Sequence, residues 1–273
     1  MQNTLSPALS RPIDWLSLSA KCWYVTTFIG QSLFVLYIFG YFGIRFFADG
    51  VDGFAGTHLP NGFIQGDGTG NTALAAHILI AALIISAGLI QLLPNIRKAA
   101  PRLHRYSGWF YMLSSIVVSL AGMYLVWSRD RIIGSFAQDI GVTGSGVLVI
   151  VFVCASLYFA IKRNIAAHRR WALRLFMVVS AVWFLRLMIF GWLILTGGVG
   201  IDMRTFSGPF LIIVGFAQYL VPLAILEIYF RAQQSASSIT RNSTAALVLL
   251  STLAMAVGLF AITQAAWLPR IGQ

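Results

Sequence analysis

ALAAHILIAALIISAGLIQLLP, residues 73–94, decides the class of this chain. It carries no Asp, Glu, Lys or Arg, and it closes on Pro94. A helix needs about 20 mainly apolar residues to cross the hydrocarbon of a bilayer. Six further stretches of that kind lie near 23–47, 107–127, 143–161, 171–197, 208–230 and 244–266. With 58% hydrophobic and only 10% charged residues, the chain lacks the polar surface of a soluble monomer. The sequence predicts an all-α polytopic membrane helix bundle of about seven transmembrane helices, forming a single transmembrane domain over residues 1–273.

Charge orders these spans. Arg11 and Lys21 precede the first span. Arg97, Lys98, Arg102 and Arg105 join spans 2 and 3, Lys162, Arg163, Arg169, Arg170 and Arg174 join spans 4 and 5, and Arg231 and Arg241 join spans 6 and 7. The opposite side holds only Arg45, Arg129, Arg131, Arg204 and Arg270, together with most of the acids. Short loops rich in Lys and Arg stay cytoplasmic, which places the N-terminus inside and the C-terminus outside. The net charge of +11 is then a basic face beside anionic lipid. No loop is long enough for a basic nucleic-acid-binding domain, so the bilayer and not nucleic acid is the expected partner. Cys22 and Cys154 are too few for a disulfide framework.

The connections differ in kind. Residues 48–72 hold seven glycines and read as an irregular outer loop. Pro101 reads as a first helical residue, where a missing N–H does no harm, so the third span starts inside the basic loop and carries His104 below the membrane edge. Ala166 and Ala167 let the fifth span start early and carry His168. Pro222 predicts a kink in the sixth. No internal repeat is visible.

Polar residues in hydrocarbon are costly, and Arg186 is the sharpest case. A charged Arg near the centre of a span costs roughly 2.5–3.5 kcal/mol on insertion scales and ordinarily faces a partner or a cavity. In a continuous helix, Arg186 and His168 share one face about 27 Å apart. Two stripes of small and polar residues repeat at helical spacing: His77, Ala81, Gly88 and Gln91 on span 2, and His104, Gly108, Tyr111, Ser115 and Gly122 on span 3. Small residues permit close helix packing, the plain reading of the glycines and Ser115. Glu227, the only glutamate, is a structural partner for Arg174 or another inner arginine.

The four histidines carry the functional expectation. His104 and His168 fall at the inner surface, His77 and the loop residue His58 toward the outer one. Two neutral imidazoles at one level on different helices are what a bis-histidine haem b requires. His104 and His168 are therefore candidate axial ligands to a haem iron. Arg186, His77 and Tyr111 are candidates for meeting a propionate or another ligand. The competing reading makes His104 and His168 interfacial residues that bond lipid phosphate beside their arginines. No HExxH, GxSxG or GxxxxGK[ST] pattern occurs, so the common hydrolase and nucleotide signals are absent.

The segments Pro101-Arg-Leu-His104-Arg105-Tyr106-Ser-Gly108-Trp-Phe-Tyr111, Ala167-His168-Arg169-Arg170-Trp171-Ala-Leu-Arg174 and Leu185-Arg186-Leu187 resemble the bacterial predicted membrane proteins grouped as domain of unknown function 2306. The His77 helix ending in Gln91 and Pro94 belongs to the same pattern. The resemblance covers residues 73–190. It aligns His77, His104, His168, Arg174 and Arg186 with family residues, while His58 has no counterpart and Tyr106-Ser107 stands where members often carry Trp-Leu. It implies a multi-pass protein of the bacterial cytoplasmic (inner) membrane, without an activity.

Three functions follow as expectations: a redox protein holding haem b or linked to a quinone or another membrane redox protein; a transporter or small-molecule-binding protein using Arg186; and a non-enzymatic assembly component. The topology has a direct check. A reporter that fluoresces only in the cytoplasm is expected to be bright on the N-terminus and dark when fused after Gln273. The reverse pattern would overturn the charge assignment.

Overall fold

The computed structural model describes residues 13–57, 59, 62–128 and 134–271. His58, Arg11, Arg129 and Arg131, which entered the reading above, lie outside the described residues. The chain runs up and down as α1 (Trp15–Tyr37), α2 (Ile44–Asp49), α3 (Gly68–Leu92), α4 (Pro94–Ala99), α5 (Pro101–Ser128), α6 (Phe136–Ile161), α7 (Ile165–Val179), α8 (Ala181–Thr196), α9 (Pro209–Gln234) and α10 (Ser238–Ile262). Six helical stretches are long and apolar enough to cross a bilayer, and α7 with α8 makes a seventh if counted as one bent span.

Local chemistry sets the helix starts. Asp14, Asp67, Ser135, Asn164 and Ser237 each place a side-chain oxygen on a first-turn N–H of α1, α3, α6, α7 and α10. Pro101 and Pro209 stand at the starts of α5 and α9, where a lost N–H is harmless. α9 continues through Pro222 as one helix.

Two expectations need correction. The fifth span is not one continuous helix: α7 and α8 meet at Ser180 with a 49° bend, so His168 and Arg186 do not share a straight face. The first span is also longer than its apolar core. It starts at Trp15, passes through a π-helical turn at Ile38–Gly43 into α2, and ends in a 3₁₀ turn at Gly50–Phe54. That turn and the start of α3 at Gly68 shorten the outer loop.

The packing is that of a membrane bundle. α3 lies against α5, α6 against α7, and α10 against both α8 and α1. Large apolar side chains cover the outside, including Val117 and Leu120 on α5, Val151 on α6 and Leu253 on α10. Such a coat belongs in lipid. Inside, Phe34, Tyr37, Tyr41, Phe42, Phe54, Trp183 and Trp267 form an aromatic core. A second cluster of Ile84, Tyr111, Val153 and Leu175 joins α3, α5, α6 and α7.

Bare backbones bring these helices together. A Cβ on Gly141 would lie 2.8 Å from the carbonyl oxygen of Gly215, across α6 and α9. A Cβ on Gly258 of α10 would collide with the backbone of Leu187 on α8. Overpacking of this sort typically costs about 1–3 kcal/mol. Gly258→Ala is therefore expected to lower the thermal unfolding midpoint of the purified protein clearly. Gly68→Ala, where a Cβ meets nothing within 4 Å, should leave it nearly unchanged. Equal midpoints for the two variants would refute the close approach of α8 and α10.

Candidate functional site: a cavity around Arg186

The two small-residue stripes fit one another. A Cβ on Gly88 of α3 would lie 3.0 Å from the Tyr111 ring of α5, and one on Gly108 would lie 3.4 Å from the Gln91 amide. A Cβ on Gly122 would stand 3.0 Å from Cε1 of His77. Each large side chain of one helix thus lies over a glycine of the other. Gln91 Nε2 donates to the His104 carbonyl and to Ser107 Oγ, both at 2.7 Å, fixing the same seam at its Arg-rich end.

The break between α7 and α8 lies inside the bundle. Ser180 is buried, and its hydroxyl accepts a 2.8 Å hydrogen bond from Gln31 Nε2 of α1. That hydroxyl makes no capping bond to the first turn of α8. Irregular backbone at membrane depth is tolerated only where it is buried or lines a cavity. Here it does both. Ser180, Gln31, Val178 and Val179 all line a cavity of about 760 Å³.

Arg186 enters that cavity one turn beyond the start of α8. Its Nη1 donates 3.1 Å to the Val182 carbonyl, and its guanidinium lies 5.1 Å from the centroid of the Phe34 ring. Among the described residues no carboxylate pairs with it. An arginine has five N–H donors, so most of its hydrogen-bonding capacity is left for the cavity. Arg270 and Tyr37 line the same space. The other walls are mainly apolar and aromatic, among them Trp183, Phe190 and Trp267.

His77 lines the cavity too, close enough to feel the Arg186 charge. Its Nδ1 lies 3.1 Å from the Val118 carbonyl oxygen. A carbonyl only accepts, so Nδ1 carries the hydrogen and Nε2 keeps a lone pair. The cavity therefore offers an acceptor at His77 and donors at Arg186 and Arg270.

Of the residues singled out in the sequence, His77 and Arg186 meet in this cavity. His104 and His168 lie elsewhere, on α5 and α7 toward the Arg-rich end. His168 Nδ1 lies 3.0 Å from the Ser156 carbonyl oxygen and 3.2 Å from its hydroxyl, which orients the ring. His104 Nδ1 is buried without a partner. Tyr111 lines neither the Arg186 cavity nor a ligand group; it is packed in the core with its hydroxyl unbonded. Arg174 is bound to Glu227 through two hydrogen bonds of 2.6 and 2.9 Å and stacks over Trp171 at 4.6 Å, as its structural reading anticipates.

Sequence reasoning missed Gln31, Ser180, Tyr37 and Arg270. Gln31 had a signal, being an amide within an apolar span. Arg270, near the chain end, had none.

No curated protein and no solved structure matches the chain. The family profile described as predicted membrane protein, domain of unknown function 2306, matches residues 74–230. The match takes in α9 as well as the segment from α3 to α8, so it reaches beyond the 73–190 read from the motifs. It contains His77, His104, His168, Arg174 and Arg186, and it covers more than half of the sequence. The chain belongs to this family of predicted multi-pass membrane proteins.

Proposed function

We propose that the chain is a small-molecule-binding membrane protein whose cavity takes an apolar, ring-bearing anion, with Arg186 as its charge partner. One observation carries this reading: a guanidinium deep in the bundle, open to a cavity and paired with no acid among the described residues. Intramembrane arginines otherwise pair within the chain, as Arg174 does near the helix ends. The interrupted helix supports the same reading. Discontinuous membrane helices point half-helix N-termini at anionic groups of bound solutes, and α8 begins at the cavity wall with no side-chain cap. Aromatic walls suit a ring, and His77 Nε2 can accept a hydrogen bond from it.

Equilibrium binding of radiolabelled 1-naphthoate to the protein in lipid nanodiscs tests the proposal, with the uncharged 1-naphthalenemethanol as competitor. Hydrogen bonds to charged groups contribute about 1.5–3 kcal/mol. Arg186→Ala should accordingly weaken naphthoate roughly 10- to 100-fold, and Arg186→Lys should recover part of it. Wild-type affinity in Arg186→Ala, or equally tight binding of the alcohol, would sink the anion site.

A haem b held by His104 and His168 is a second reading, favoured by the ring of His168, which Ser156 orients at the Arg-rich end where His104 of α5 also lies. His168 fits, because its Nδ1 is held by Ser156 in the manner of an oriented axial ligand. His104 lacks that support on its Nδ1. Bound there, a haem would supply one-electron chemistry. The test is the absorption spectrum of protein purified from haem-supplemented cells. A Soret band lost in His168→Ala supports this reading; a colourless protein ends it and leaves the Arg186 cavity untouched.

A further inference from the structure

A second cavity, of about 870 Å³, shares no wall residue with the first and lies among α8, α9 and α10. Tyr24, Arg169 and Tyr229 stand at its Arg-rich end, Trp192 and Phe210 at the other. Phe210 and Tyr229 bracket it on α9, a distance of about 28 Å along the helix axis. The groove therefore extends over nearly the full thickness of the hydrocarbon. Its rim carries Ile213, Leu250 and Leu253, each more than 60% exposed, so it opens on the outer, lipid-facing side of the bundle.

One wall residue carries a full charge, and that is Arg169. The acids of that end are already engaged: Asp14 pairs with Arg241 at 3.0 Å, and Glu227 pairs with Arg174. Among the described residues Arg169 has no carboxylate partner. The groove is thus a long apolar channel with one uncompensated cation at one end. Its chemical complement is a molecule with a long hydrocarbon chain and a single anionic head. Basic pockets between membrane helices bind anionic headgroups in this way.

We propose that this groove is a binding site for one anionic phospholipid, with its phosphate at Arg169 and an acyl chain between α8, α9 and α10. The site is independent of the Arg186 cavity, and either can fail without the other.

Native mass spectrometry of the full chain, titrated in detergent with phosphatidylglycerol and with phosphatidylcholine, tests it. The wild-type protein should retain one phosphatidylglycerol about five-fold more tightly than phosphatidylcholine, the worth of one Lys or Arg at an anionic surface. Arg169→Gln should abolish that preference, weakening phosphatidylglycerol more than phosphatidylcholine, which shares the phosphate but has no net charge. Ala254→Trp, which places an indole in the groove wall, should weaken both lipids. Equal retention of the two lipids by the wild type overturns the proposal, as does a preference that survives Arg169→Gln. Should Arg169→Gln be recovered unfolded, undiminished phosphatidylglycerol binding by Ala254→Trp overturns it instead.

Discussion

Within hydrocarbon every backbone N–H and C=O must find a partner in the chain itself, because no water is there to supply one. This constraint turns seven apolar stretches into helices, and it confines departures from helix to protected places. The break at Ser180 is the informative exception. It is buried, braced by Gln31 from α1, and set against a cavity instead of lipid. The π-helical turns at Ile38–Gly43 and Thr263–Trp267 border the same cavity through Ile38, Phe42, Ala266 and Trp267. The three irregularities thus concentrate around the space where Arg186 lies.

Lipid offers no hydrophobic drive for helices to associate, so close contact must come from shape. In the α3–α5 pair the fit alternates, with Tyr111 over Gly88, Gln91 over Gly108 and His77 over Gly122. The third of these pairs also shapes the cavity wall. The glycine admits the imidazole, the Val118 carbonyl fixes its Nδ1, and the remaining nitrogen is left for the cavity. Between α8 and α10, Gly191 and Gly258 bring the backbones themselves into contact, which holds α8 and its arginine in place.

The arginines differ in how they are partnered. Arg174 and Arg241 each have a carboxylate, and both sit near the Arg-rich end. The Glu227 side chain is 41% exposed, so the net contribution of its pair with Arg174 is small, within the 0–1 kcal/mol typical of exposed pairs, and the geometry positions more than it stabilises. Arg186 and Arg169 lack such partners among the described residues, and each borders a cavity. With 19 cationic and 8 acidic residues, cations outnumber the carboxylates that could pair with them. Arg186 stands out because its surroundings are mainly apolar and aromatic, and Arg169 because it closes one end of an apolar groove.

The sequence by itself determined the class, the approximate number of spans and the start of α5 at Pro101. Hydropathy over some 20 residues and Pro101 act locally, and local rules read them correctly. It also marked Arg186 and His77, because a polar group in an apolar run stands out wherever it sits. What it could not contain was which of the marked residues meet. A single 3.6-residue period continued across residue 180 puts His168 and Arg186 on one face; the 49° bend between α7 and α8 removes that register. Gln31 and Tyr37 reach the cavity from α1, and Arg270 from the last turns of the chain, all far from Arg186 in sequence. Only the packing of α1 and α10 against α8 decided that, since contact between distant helices depends on summed side-chain shape and not on local pattern.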